Sequence, residues 1–283
     1  MKTIKRISQL RAAITGAKNA KKRVAFVPTM GNLHQGHLDL VERAKREGDF
    51  VVVSIYVNPL QFGENEDLSK YPRTEQEDAH LLANIDVDIL FLPDESAMYP
   101  GGDIAQQCLV DIPTLSGLYC GVQRPIHFRG VTSVVARLFN IVQPEVAVFG
   151  KKDFQQLFLI QKMVSDLAFP IEIVGVETAR EENGLAMSSR NRYLTKAQLK
   201  KAPSLRKELV ELAEQLKQPK ANLQKLTKES KTKLEKAGFE PHYIDVVSRK
   251  TLLKPEKGET ELVILAAGQI GKARLIDNIE VDL

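Results

Sequence analysis

Val24-Ala25-Phe26-Val27-Pro28-Thr29-Met30-Gly31-Asn32-Leu33-His34-Gln35-Gly36-His37 compresses a strand, a turn and the opening of a helix into one stretch. Val24 to Val27 is an unbroken apolar run, the pattern of a parallel strand buried on both faces. Pro28 and Gly31 break it, and an amphipathic segment with Leu40, Val41 and Ala44 on one face follows. The two imidazoles therefore fall where the carboxyl end of a strand hands over to a helix N-terminus. Open α/β sheets bind ligands at that edge, and a helix N-terminus offers unpaired N–H groups and partial positive charge. Gly36 leaves room for a phosphate to approach the backbone, and imidazole donates to phosphate oxygens. The alternative is a turn with two incidental histidines; that two of only five histidines share one Gly-rich turn argues against it. A zinc pair on one helix face is disfavoured by the i, i+3 spacing, by Gly36 and by the lack of a Glu after His34.

The rest of the first half repeats the alternation of strand and helix. Met1 to Lys22 is a basic amphipathic segment with Ile7, Leu10 and Ile14; it runs straight into the first strand and reads as a first helix rather than a transit peptide. Phe50–Val57 is a second buried strand, ending in Asn58-Pro59-Leu60-Gln61-Phe62 and a polar loop to Tyr71-Pro72-Arg73. Thr74 and Glu77 have the spacing of a capping box for a helix through Leu82. Val87–Leu92 is a third strand, stopped by Pro93, and Asp94–Arg129 is irregular with a strand near Leu109. A helix over Val131–Val142, a fourth strand over Val146–Phe149, a helix carrying Leu157, Ile160, Met163 and Val164, and a fifth strand over Ile171–Val176 complete the series. Such alternation predicts an α/β fold, a doubly wound, Rossmann-like parallel sheet, with the strand ends at Thr29, Asn58 and Gly150 on one edge.

Beyond Glu177 the character changes, which sets predicted domains at residues 1–177 and 178–283, the second a smaller α+β domain. A polar loop, Asn183–Asn191, precedes two long polar helices, Lys196–Lys217 and Ala221–Ala237, with Gly238 as C-cap. Tyr243–Val247, Leu262–Ala266 and Ala273–Ile276 read as strands of a small mixed sheet. Between Lys196 and Lys236 stand twelve Lys or Arg against five Glu, the mark of a solvated face or of a nucleic-acid patch.

Composition narrows the classes. Hydrophobic content of 43% and charged content of 27% are those of a globular protein, and a net charge of +4 permits anionic ligands without requiring nucleic acid. Cys108 and Cys120 are too few for a disulfide framework or a Cys-based metal site and read as free thiols of a reducing compartment. The sequence offers no secretory h-region and no membrane-length apolar run, so a cytoplasmic protein without membrane partners is expected.

Polar residues gather at the shared edge. Lys152 can bring charge to a phosphate; Asp153, at a helix start, suits either a ribose hydroxyl or a plain N-cap. Ser188, Ser189 and Arg190 put two hydroxyls and a guanidinium in a loop able to close over a triphosphate. Gln61 and Gln156 are neutral hydrogen-bonding groups suited to a small substrate with hydroxyls and a carboxylate. Neither a Ser/His/Asp triad nor a metal cage is evident, and Mg²⁺ would arrive on a nucleotide with few protein ligands.

His34-Gln35-Gly36-His37 resembles the phosphate-handling signature of nucleotidyl transferases, and Met187-Ser188-Ser189-Arg190 keeps part of the mobile Lys-Met-Ser-Lys-Ser loop of class I aminoacyl-tRNA synthetases. A more specific resemblance runs nearly end to end. Pro28–His37, Val57–Phe62, Tyr71–Thr74, His127–Val131, Phe149–Leu157, Met187–Asn191 and Ala273–Asn278 are similar to the pantothenate synthetase family. That resemblance implies an ATP-dependent ligase that activates pantoate as pantoyl adenylate, releasing pyrophosphate, and then joins it to the amine of β-alanine, releasing AMP.

Carried over residue by residue, it implies that Met30, Gly31, Asn32, Leu33, His34, Gln35, Gly36 and His37 hold ATP, with His37 a proton donor. It implies that Gly150, Lys151, Lys152, Asp153, Ala179, Met187, Ser188, Ser189 and Arg190 line the nucleotide site. Of these, His34, His37, Lys152, Ser188, Ser189 and Arg190 are the expected catalytic set. Gln61 and Gln156 would bind pantoate, Gln61 also lying near β-alanine. The acidic pair proposed to help hold Mg²⁺ in some members falls at Glu77 and Asp78, and the family is typically a homodimer. One departure is Lys151, where the family often has Glu; it sets a second cation beside Lys152 and makes the local field more positive. Competing readings are a phosphopantetheine or nicotinamide-mononucleotide adenylyltransferase, which stops after one phosphoryl step; a class I tRNA synthetase, disfavoured by length; and a nucleic-acid-binding protein using the Lys-rich helices.

Overall fold

A computed structural model describes residues 1–64, 66, 68–102 and 106–283, and the chain divides into two compact units. The first comprises Met1–Lys151 and Gln156–Glu177, the second Lys152–Gln155 and Thr178–Leu283.

In the first unit the elements run β1 (Lys2–Ile4), α1 (Ile7–Asn19), β2 (Val24–Thr29), α2 (Gln35–Glu47), β3 (Phe50–Ile55), α3 (Glu75–Asn84) and β4 (Ile89–Phe91). Then come three single-turn helices, α4 (Glu95–Met98), α5 (Pro113–Ser116) and α6 (Cys120–Gln123). They are followed by α7 (His127–Val142), β5 (Val146–Gly150), α8 (Phe154–Asp166) and β6 (Glu172–Val176). The six strands form one sheet in the order β1-β4-β3-β2-β5-β6, with every pairing parallel.

Alternate residues of β2 explain why helices cover both faces. Val24 and Phe26 join the cluster built with Leu10 and Ile14 of α1, Val131, Val135 and Leu138 of α7, and Leu157, Ile160 and Met163 of α8. Ala25 and Val27 join the opposite cluster, with Val41 and Ala44 of α2 and Leu82 of α3. A strand apolar at every position therefore has no face left for water. The doubly wound expectation holds.

Strand order reverses at β2: β3 and β4 lie to one side of it, β5 and β6 to the other. Pro28, expected to break the strand, lies inside it. The β2–β3 ladder continues to Thr29↔Ile55, whereas the β2–β5 ladder ends at Phe26↔Ala147. A proline has no N–H to donate and is tolerated where one side of the ladder has stopped. The opening on the β5 side is the topological switch point, where open α/β sheets take their ligands.

Several expectations need correction. The amino end is not helical from the start: Lys2–Ile4 forms the edge strand β1, held by parallel pairing with Ile89–Phe91. Among the described residues no strand forms near Leu109, which is exposed; residues 103–105 of that stretch, and Asn65 and Asp67 of the polar loop, lie outside the described residues. Thr74 makes no cap bond, because its hydroxyl donates instead to buried Asp78 Oδ2 at 3.1 Å.

The second unit contains α9 (Lys196–Lys201), α10 (Ser204–Leu216), α11 (Leu223–Ala237), β7 (Glu240–Ser248), β8 (Glu261–Ile270) and β9 (Ala273–Asp282). Leu205, Leu209, Leu212 and Leu216, one stripe of α10, pack with Ile244, Leu262, Ile264 and Leu275 of the sheet. The first expected long helix is broken at Pro203, which cannot continue the i→i−4 ladder. The sheet is wholly antiparallel, order β7-β8-β9, rather than mixed. Gly238 caps α11 at φ +96°, as expected. On the basic face Lys233 bridges Glu208 and Glu211 at 3.3 and 3.1 Å.

Candidate active site

The turn between β2 and α2 is held from below by one carboxylate. Asp78, buried on α3, accepts Asn32 N–H at Oδ2 and Leu33 N–H at Oδ1, both at 2.8 Å. Gly31 (φ +79°) and Asn32 (φ +52°) are both left-handed. A Cβ on Gly31 would sit 2.9 Å from Asp78 Oδ2 and from Ile55 Cγ2, so the turn needs glycine there on two counts. Asn tolerates the left-handed region better than most residues, which suits position 32. Thr29 Oγ1 ties the strand end by donating to Ser54 O at 2.9 Å and accepting Gly31 N–H at 3.2 Å.

His34 and His37 form a capping box. His34 Nδ1 accepts Gly36 N–H, and His37 Nδ1 accepts His34 N–H, both at 3.2 Å. Gly36, expected to disfavour helix, stands in the first turn of α2, where His34 is the N-cap. The ring centroids are 4.1 Å apart. Because each Nδ1 accepts a backbone N–H, the neutral rings carry their proton on Nε2. Two Nε2–H donors thus stand at a helix N-terminus. Gln35 lies alongside, its amide donating to Asp39 Oδ1 at 2.8 Å.

Adjacent strands bring the other first-unit residues to the same edge. Gln61 follows β3, Gly150 ends β5, and Lys151 and Gln156 come after it; β3 and β5 are the two strands that flank β2. Gln61 is buried in a 3₁₀ turn, Pro59–Gln61, and its Nε2 lies 2.9 Å from Met30 Sδ. Its carbonyl meets His127 Nδ1 at 3.0 Å, and Arg124, paired with Glu66, reaches the same carbonyl at 3.4 Å. Pro72, Arg73 and Thr74 line a cavity of 210 Å³ with Met30, Gly31 and Asp78, which gives the Tyr-Pro-Arg-Thr motif its place. Lys151 Nζ pairs with Glu177 Oε1 at 2.5 Å, so the extra cation is offset rather than added to the field of Lys152.

The second unit holds the rest. Lys152 O accepts Asn278 Nδ2–H at 2.9 Å, and Lys152 Nζ lies 3.7 Å from Asp153 Oδ2. Ala179 O accepts Met187 N–H at 2.9 Å, closing a small hairpin with the Arg180↔Ala186 bridge. Ser188 caps the 3₁₀ turn Ser189–Tyr193 by accepting Arg190 N–H at 3.3 Å. Arg180 forks onto buried Asp277 at 2.7 and 2.8 Å, a bidentate pair that fixes the hairpin. The roles of Arg180, Asp277, Asp78 and Asn58 were not read from the motifs: Asp277 and Asn58 fall inside quoted stretches with no role assigned, Asp78 was expected beside Mg²⁺, and each acts on backbone or on another side chain.

A family model, Pantoate-beta-alanine ligase, matches residues 2–280. The chain belongs to the pantoate–β-alanine ligase family. The pantothenate synthetase of Shewanella oneidensis is 49% identical over 282 residues, covering all of both chains. The crystal structure of pantothenate synthetase from Thermus thermophilus has a TM-score of 0.91 at 46% identity, with full coverage of both chains. The pantoate-β-alanine ligase of Francisella tularensis, solved in complex with beta-gamma ATP and β-alanine, has a TM-score of 0.79 at 35% identity. It covers 99% of this chain and 97% of that one. The pantoate–β-alanine ligase family thus accounts for both units of the chain.

Proposed function

We infer that the protein is an ATP-dependent ligase that condenses pantoate with β-alanine to pantothenate, through pantoyl adenylate, releasing AMP and pyrophosphate. The observation that carries this reading is the family match across residues 2–280, set on a turn that presents two imidazole Nε2–H donors at a helix N-terminus.

A carboxylate and an amine do not condense in water, and adenylation supplies the leaving group. The pantoate carboxylate oxygen attacks the α-phosphorus of ATP, and the bond to pyrophosphate breaks. The amine of β-alanine then attacks the acyl carbon, AMP departs with the oxygen, and the amine gives up a proton. Charge grows on the phosphates in the first step, so fixed donors and cations belong there. His34 and His37 donate from Nε2, and Lys152 and Arg190 supply positive charge. Ser188 and Ser189 supply hydroxyls, and the backbone of Met30–Leu33, Gln35, Gly36, Gly150–Asp153, Ala179 and Met187 lines the nucleotide. Gln61 and Gln156 hold pantoate. No covalent enzyme nucleophile is required.

Mg²⁺ enters with the triphosphate as part of the substrate. Asp78 is a poor protein ligand for it, because both of its oxygens hold the backbone of the turn. A homodimer and a cytoplasmic location are proposed on the family resemblance; no described helix is long and apolar enough to cross a membrane. The test is AMP formation with pantoate and β-alanine supplied separately and together. Amide product and stoichiometric AMP only with both substrates support the reading. A product that retains the adenylyl group would favour an adenylyltransferase instead.

A further inference from the structure

We propose that Tyr99 and Asn58 fix the direction in which Gln61 presents its amide, so that Gln61 offers N–H rather than C=O to pantoate. The proposal rests on the placement of Gln61 at the pantoate site. It extends that placement to two residues that need not touch substrate and act by positioning.

Side-chain amides are ambiguous in isolation, but backbone groups are not. Leu60 N–H can only donate, and it meets Asn58 Oδ1 at 3.3 Å. Gly130 C=O can only accept, and it meets Asn58 Nδ2 at 3.0 Å. These two contacts set the Asn58 amide. The remaining contacts then have one sense each. Tyr99 OH donates to Asn58 Oδ1 at 2.6 Å, and Asn58 Nδ2 donates to Gln61 Oε1 at 3.3 Å. Gln61 Oε1 is therefore occupied, and Nε2 is the end turned away from Asn58.

Burial makes the relay hold. Asn58 is 1% exposed, Tyr99 4% and Gln61 6%, so water does not compete for these groups. Burial also pushes the Tyr99 hydroxyl up to about 12, which keeps it a donor throughout the neutral range. The Gly130 contact depends on a close approach: a Cβ there would lie 2.4 Å from Leu60 O, so only glycine lets α7 bring this carbonyl to Asn58. Gln61 Nε2 rests 2.9 Å from Met30 Sδ, and a thioether is a weak acceptor. A carboxylate or hydroxyl oxygen of the substrate would replace that contact with a stronger one.

The experiment is steady-state kinetics on Tyr99→Phe, which keeps the ring and deletes the hydroxyl. The Michaelis constant for pantoate should rise about 2- to 13-fold, the factor of one neutral hydrogen bond, while that for ATP stays unchanged. In a Gln61→Ala background the same substitution should have no further effect on pantoate, because the two act in one chain. Asn58→Asp provides a second route should Tyr99→Phe fold poorly. It sets a carboxylate oxygen against Gln61 Oε1 and turns Gln61 Nε2 inward, so pantoate binding should weaken at least as much with ATP binding retained. An unchanged pantoate constant in Tyr99→Phe, additive effects with Gln61→Ala, or equal losses for ATP and pantoate would overturn the relay. A wild-type enzyme that turns over without pantoate would instead overturn the substrate reading beneath it.

Discussion

At the residue scale, each histidine of the turn does two things with one ring. Nδ1 accepts a backbone N–H and closes the capping box, and Nε2 keeps the proton that a phosphate oxygen can accept. Loss of one such donor from a developing charge costs about 2.7–4 kcal/mol. His34→Ala and His37→Ala should therefore each lower kcat by about 10²–10³-fold, measured at saturating ATP and pantoate. Near-normal turnover in both would show that the rings serve only the cap. The histidine pair was legible because its spacing falls at a strand-to-helix transition. Asp78 was expected only as half of an acidic Mg²⁺ pair; its hold on the turn was not legible, since its partners are the backbone amides of Asn32 and Leu33, and backbone donors leave no trace in residue type. The same reason hid the role of Asn58, named in the sequence only as a strand end, because that role depends on Gly130 O far along the chain.

At the element scale, α3 is a clamp for the β2–α2 turn. Asp78→Ala would leave two part-buried amides without their acceptor and free the Thr74 hydroxyl as well. An unsatisfied buried donor costs about 1–3 kcal/mol, so two donors set an upper range of about 2–6 kcal/mol, and for these part-buried amides a loss of about 2–3 kcal/mol in unfolding free energy is expected. Urea denaturation measures it, and a loss below about 1 kcal/mol would mean that water reaches the turn. Element boundaries were legible where pattern and punctuation agreed, as at Gly238. They were not where pairing alone makes the element: β1 has three residues with only Ile4 buried, and it exists because Ile89–Phe91 lies beside it. β7, β8 and β9 run past their apolar centres for a similar reason, since each extends as far as its neighbour's ladder. The break at Pro203 was visible in the sequence and was outweighed by an unbroken polar, helix-forming run around it.

At the scale of the whole molecule, the alternation of buried strands and amphipathic helices prescribed a doubly wound sheet, and the strand order puts β3, β2 and β5 side by side. Residues from three separate motifs then share one sheet edge without any special pairing between them. The sequence could not say which residues travel with which unit: Lys151 belongs to the first, whereas Lys152 is tied to Asn278 in the second. The central claim is chemical. If pantoate is activated as an acyl adenylate before the amine is used, the first step needs only ATP, Mg²⁺ and pantoate. Labelled pyrophosphate should then exchange into ATP with pantoate present and β-alanine absent, and Gln61→Ala or Gln156→Ala should weaken that exchange. Exchange that requires β-alanine, or that proceeds without pantoate, would contradict the account.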